Sequence, residues 1–127
     1  ELGRKGEKLL SSEEKFLNMT LEQQGKLFYY NPRASVQHWV SKERVNPSWV
    51  VSRAYWQGWS EAVVAHVLGQ TRGKLRREGG LRLLKNVLNP QNVLAYMQAN
   101  PQAQVKARIR ISFCWGYFSQ VWQRSPD

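Results

Sequence analysis

Apolar residues recur at helical spacing through most of this chain and alternate with polar ones only near its first third. Phe16, Leu17 and Leu21, with Met19 beside them, give one apolar face and predict a helix over residues 12–24 that Gly25 stops. Residues 26–30 are short, aromatic and β-prone, Asn31-Pro32 breaks them, and residues 34–40 alternate, which predicts two short strands. Asn46-Pro47 reads as cap and first position of a second helix that runs to about Leu68, before Gly69. Along it Trp49, Trp56, Trp59, Val63 and Val67 form one apolar stripe, while Arg53, Gln57 and Glu61 share another face. Gly58 sits inside this helix at a cost of roughly 1 kcal/mol against Ala, for which close approach of another backbone is a sufficient reason.

The remaining chain predicts helices only. Residues 70–88 carry Gly73 and the Gly79-Gly80 pair, so the expectation is a helical hairpin packed through Leu81, Leu83, Leu84, Val87 and Leu88. Asn89-Pro90 and Asn100-Pro101 cap helices over residues 91–98 and 102–123. The last is apolar round most of its girth, with a seam of small residues, Ser112, Gly116 and Ser119, suited to close helix–helix approach. It predicts either packing on the Trp49–Trp56–Trp59 stripe or a place in a membrane interface. The expected fold class is mostly α (α+β), with a short strand pair and one helix from the edge of an α/β domain, followed by a helical C-terminal region.

Composition narrows the partners. The 127 residues carry a formal charge of +10, which favours anionic ligands: nucleic acid, acidic lipid or phosphorylated compounds. Six Trp, five Tyr and four Phe indicate a folded chain. The single cysteine, Cys114, rules out an internal disulfide and a cysteine-rich zinc site. The chain opens on Glu1 with no charged-then-apolar leader, so no signal peptide is expected. No apolar run approaches the ~18 residues of a spanning helix.

The candidate chemistry centres on Ser11-Ser12-Glu13-Glu14, after a cationic loop with Gly3 and Gly6. Ser11 and Glu14 have the spacing of a capping box. The same carboxylates, presented at the rim of a cleft, also suit a general base. His38, alone, does not define a metal site, since a divalent ion needs further ligands. Tryptophans at helical spacing are core or docking surface more often than a sugar platform.

The order Leu2-Gly3-Arg4-Lys5-Gly6, Leu10-Ser11-Ser12-Glu13-Glu14, Gly25, Tyr30-Asn31-Pro32, Val36, His38, Arg44 and Arg53-Ala54-Tyr55-Trp56-Gln57-Gly58 resembles family 2 glycosyltransferases over about residues 1–65. The resemblance is to the end of their GT-A catalytic domain plus a helical tail. It implies that residues 1–45 complete a catalytic domain and that residues 46–127 form a helical C-terminal region. It implies an inverting transferase that uses a nucleotide-sugar donor, a glycan or lipid-linked acceptor and Mg²⁺ or Mn²⁺, in cell-surface polysaccharide synthesis. In that family an acidic pair, commonly Glu-Asp, supplies the catalytic base; here it reads Glu13-Glu14. By the same resemblance His38, Arg44, Arg53 and Gln57 belong to substrate binding, the arginines at the diphosphate. The metal and donor half is expected before Glu1, no metal is expected on this segment alone, and the segment alone is expected to be inactive. The implied location is cytoplasmic, peripheral on the inner face of the cell membrane.

Two rivals come from the residues themselves. The basic stretch over 70–88, with Arg72, Lys74, Arg76, Arg77, Arg82 and Lys85, suits an anionic membrane surface or a stand-alone module binding nucleic acid. Nucleic acid is the less favoured partner, because no helix-turn-helix, zinc-finger or RNP signature is present. The aromatic faces also suit a helical protein-interaction module.

Overall fold

The computed structural model describes residues 12–98 and 100–123. The first loop with Gly3, Arg4, Lys5 and Gly6, together with Ser11 and the side chain of Glu13, lies outside them.

Five α-helices follow one another: α1, Glu13–Gln23; α2, Pro47–Val67; α3, Arg72–Val87; α4, Pro90–Met97; and α5, Pro101–Trp122. A 3-10 turn, Lys42–Val45, leads into α2. The three Asn-Pro pairs that precede helices do what their chemistry requires. Asn46, Asn89 and Asn100 each accept, through Oδ1, the N–H of the residue two places on, at 2.9, 2.9 and 3.0 Å. The proline between occupies the first helical position, where no N–H is needed. Gly25 and Gly69 close α1 and α2 in the left-handed region, at φ +71° and +87°. Behind each, the N–H of the next residue reaches a carbonyl five back: Lys26 to Leu21 at 3.0 Å and Gln70 to Ala65 at 3.1 Å.

The centre of the molecule is the crossing of α2 and α5. Gly58 and Gly116 make it possible. A Cβ on Gly58 would run into the Phe113 carbonyl, with the carbonyl carbon at 2.8 Å, and one on Gly116 would run into the Tyr55 carbonyl in the same way. Two bare backbones therefore face each other, each lodged against the other's carbonyl. Ser112 adds a hydrogen bond across the crossing, its hydroxyl donating to the Val51 carbonyl at 2.9 Å. Helix α3 leans on the far half of α5, where Ala62, Leu75, Tyr117 and Val121 form the buried core. The short α4 is tied in by Asn92, 2% exposed, whose amide donates to the Asn86 carbonyl at 2.7 Å and accepts from Arg110 at 3.4 Å.

Three expectations are corrected here. First, the α+β fold class with its strand pair gives way to an all-helical chain: no strand occurs among the described residues. Residues 26–40 are irregular and exposed, with Tyr30 at 92% and Trp39 at 87%. The Asn31-Pro32 break is real, closed by Arg33 N–H on Asn31 Oδ1 at 3.0 Å and Ala34 N–H on the Asn31 carbonyl at 3.1 Å. A lone pair of strands is marginal in water, however, and the described residues offer no third strand for these flanks to join.

Second, residues 72–87 form one continuous helix and not a hairpin. Gly79 stays helical because the Tyr117 ring occupies the space a side chain would take, its Cδ1 lying 3.1 Å from where a Cβ would stand. Burial of that ring outweighs a propensity cost of about 1 kcal/mol. Third, α5 does pack within the protein, and its closest approach to α2 is at Tyr55 and Gly58, where the expectation centred on the Trp49–Trp56–Trp59 stripe. Trp56 and Trp59 are half-buried beside Tyr55 and form an aromatic cluster with it, with ring centroids 5.2 to 6.2 Å apart. No helix among the described residues is long and apolar enough to cross a membrane.

Candidate functional site

Helix α1 is fastened to α2 at two points. Gln57 Nε2 donates to Ser12 Oγ at 3.1 Å, and Lys15 Nζ donates to both carboxylate oxygens of Glu61, at 2.7 and 2.6 Å. The Gln57–Glu61 spacing matches Ser12–Lys15 because both helices bring these residues one turn apart on facing sides. Glu61 thus pairs with Lys15 on another helix, and an intrahelical Arg53–Glu61 pairing is not what holds it.

The head of α1 corrects one detail of the capping expectation. The cap falls on Ser12, not Ser11, with Ser12 at φ 77° and no hydrogen bond from its side chain to the helix. Glu13 and Glu14 are then the first two helical residues, and Lys15 stands third, where a capping box needs its acid. A carboxylate in the first turn is still favoured by the helix dipole. Glu14 is exposed, so its side chain is free to meet a ligand from solvent.

The candidate substrate residues separate into two groups. Arg53 and Gln57 lie one turn apart on α2 and line the same cleft. Gln57, through Ser12, is also the residue that sets where the acidic head of α1 stands. Arg44 lies half-buried on the 3-10 turn, and His38 is exposed in the irregular stretch before it. Neither lines that cleft. Among the described residues no group of three His, Cys, Asp or Glu side chains is placed to hold a metal ion.

The cleft has a volume of about 650 Å³. Helix α2 contributes Val50, Arg53, Ala54 and Gln57; α3 contributes Arg82 and Asn86; α5 contributes Ile109, Arg110, Phe113 and Cys114. Among the described residues its lining has an apolar floor, three arginines and no carboxylate. Sequence reading found Arg53 and Gln57 but did not join Arg82, Asn86 and Arg110 to them. Their part depends on the α2–α5 crossing and the unbroken α3, which bring three distant stretches to one opening. The cationic signal over 70–88 was visible, but it was spread over six residues with no means of choosing Arg82 among them.

Burial raises the Cys114 thiol and the Tyr117 phenol above their ordinary ranges, and the Arg82 charge opposes both shifts without cancelling them. Each group therefore ionises more readily in the unfolded chain than in the folded one. The stability they confer is whole below the ordinary thiol value and is lost as pH rises through their folded values. Urea midpoints should fall as pH rises above the ordinary thiol value. Cys114→Ala and Tyr117→Phe, combined, should flatten that fall; an equally steep fall in the double variant would place its cause elsewhere.

No family model and no solved structure matches the chain. Over 63 residues it is 36% identical to a glucosyl-dolichyl phosphate glucuronosyltransferase of Haloferax volcanii, a match that takes in 49% of this chain and 20% of that enzyme. The chain spans a fifth of the length of that relative, and the likeness is to a glycosyltransferase-related segment.

Proposed function

We propose that this chain is the C-terminal segment of an inverting, nucleotide-sugar-dependent glycosyltransferase of the GT-A type, family 2, acting in cell-surface polysaccharide synthesis at the inner face of the membrane. The acceptor would be a glycan or a lipid-linked compound, and the donor and divalent-metal sites would belong to the preceding half of the enzyme. The observation that carries the reading is the fastening of α1. Ser12 on Gln57 and Lys15 on Glu61 join the acidic head of α1 to the face of α2 that carries Arg53 and Gln57.

The chemistry follows from that placement. An acceptor hydroxyl must lose its proton as it attacks the anomeric carbon of the donor, and Glu14 would take that proton. Arg53 and Arg44 would meet the departing diphosphate, for which guanidinium is suited by its forked donors. Partial likeness to a glycosyltransferase supports the class. The exposed aromatics Phe28, Tyr29, Tyr30 and Trp39 support a larger enzyme around the segment, because a run of exposed aromatics is ordinarily covered by a partner surface.

The test is transfer from nucleotide sugars to a lipid-phosphate acceptor in Mg²⁺ or Mn²⁺ buffer. The 127-residue chain alone is expected to give no product above a heat-killed control, whereas the complete polypeptide encoded with it gives product. Turnover by the chain alone would defeat the segment reading, and an inactive complete polypeptide would defeat the transferase reading.

A further inference from the structure

We propose that the apolar cleft between α2, α3 and α5 is the seat of the chain that enters α1, and that Leu9 and Leu10 fill it. The inference rests on how α1 lies along α2 and does not draw on the transferase reading.

Helix α1 runs in the same direction as α2. Ser12 is bonded to Gln57 and, one turn on, Lys15 to Glu61. Met19, a further turn along, joins Val64, Ala65 and Leu68 in lining a smaller opening. Residues 12–19 therefore lie beside residues 57–68 of α2 in matching order. The cleft takes up the preceding turns of the same helix, through Val50, Arg53, Ala54 and Gln57. Gln57 belongs to both regions, since its amide holds Ser12 while its side chain lines the cleft. Ser12, the first described residue, thus stands at the edge of the cleft. Extended chain covers about 3.3–3.6 Å per residue, which puts Leu10 within about 7 Å of Ser12 and Leu9 within about 11 Å. At 1.5 Å rise per residue, Ala54 and Val50 stand about 4.5 and about 10.5 Å along α2 from Gln57. The two leucines reach both.

The chemistry of the occupant agrees with its reach. Val50, Ala54, Ile109 and Phe113 give the cleft an apolar wall. Covering such a wall with aliphatic side chains is favourable in proportion to the area taken from water. Leu9-Leu10 is the one pair of adjacent apolar side chains in residues 1–11, and Leu2 stands between Glu1 and Gly3. A volume of about 650 Å³ has room for both leucines. Seated there, they hold α1 from its near end, as the Lys15–Glu61 pair holds it one turn on.

Cys114 is the single cysteine, lines the cleft and is 6% exposed, so its access to a reagent reports the occupant. The 127-residue chain and its Leu9→Ser/Leu10→Ser variant are treated with N-ethylmaleimide without denaturant, and labelling is followed by mass. The variant should label about tenfold faster, because the thiol is uncovered locally. Val121→Ala, which thins the core away from the cleft, is the control for labelling through global unfolding. It is compared with the leucine variant in urea at equal stability. A double-mutant cycle is the second measurement. Leu10→Ala and Ile109→Ala together should shift the folding equilibrium about fivefold less than the product of their separate effects. The proposal is overturned if parent and leucine variant label at one rate, or if Val121→Ala at equal stability labels as fast as the leucine variant. It is overturned equally by a cycle without coupling, which would leave the leucines packed on α1 itself. Labelling of the parent that slows as its concentration rises would give the cleft to a second copy and end the proposal.

Discussion

Gly116→Ala should lower the stability of this chain by roughly 2–4 kcal/mol, although alanine is the better helix former by about 1 kcal/mol. The added methyl group meets the Tyr55 carbonyl, with carbon at 2.8 Å and Cα at 3.1 Å. Those atoms belong to the interior of α2 and have no rotamer by which to move aside. The helices must separate, and every contact along the crossing loosens, including Ser112 on Val51. Gly58→Ala should cost a similar amount through the Phe113 carbonyl. The two losses should not add, because one separation of α2 from α5 relieves both clashes. Gly73 and Gly80 provide the contrast: a Cβ at either meets nothing within 4 Å. Alanine there should raise stability by about 0.5–1 kcal/mol. Urea titrations followed by far-UV circular dichroism measure all four. A Gly116→Ala midpoint equal to the parent's would mean that the crossing is not as close as described. Against a total stability of about 5–15 kcal/mol, the expected loss is large enough to be unmistakable.

The same glycines mark where sequence reading reached and where it stopped. Gly58 stood in a helix without a local reason, and the Ser112–Gly116–Ser119 seam implied a close neighbour. That the two belong to each other required the fold, since nothing in either pattern names its partner. The Asn-Pro caps and the glycine stops were legible because their chemistry is complete within four or five residues. The Gly79-Gly80 pair misled for the opposite reason: what keeps α3 unbroken there is a ring from Tyr117, distant in sequence. The aromatic runs before and after Asn31-Pro32 misled because β propensity expresses fit to a sheet. Without neighbouring strands, Tyr29, Tyr30 and Trp39 remain in solvent. Of the candidate site, Arg53 and Gln57 were legible as one helix face, and the acidic pair as a helix head. The cleft itself was not, because three of its polar members come from α3 and α5 and meet only through the α2–α5 crossing.

On the proposed transferase reading, Glu14→Gln in the longer polypeptide should lower kcat by about 10²–10⁴-fold while leaving the fold intact. Glutamine keeps the length and a carbonyl oxygen but does not accept the proton of an attacking hydroxyl. The structural cost should be small. Glu14 is exposed at the second position of α1, and with the cap on Ser12 it is out of register for a capping box. What remains is a favourable charge at the helix start, worth about 0.3–1 kcal/mol. A large kinetic loss with a melting temperature barely moved is therefore the signature of a base, and the reverse pattern is that of a helix-end charge. Glu13→Gln is the necessary companion, because the acidic pair of the resemblance includes both residues and successive helix positions lie about 100° apart. An inactive Glu13→Gln beside a normal Glu14→Gln would move the base by one residue; two normal variants would remove it from α1. Gln57→Ala tests the positioning that makes either residue useful. It deletes the donor to Ser12 at 3.1 Å while leaving the Lys15–Glu61 pair in place, so α1 stays attached but its head loses its register. Turnover should fall, and the pH profile of the remaining activity should keep its carboxylate limb, because the base is displaced and not removed.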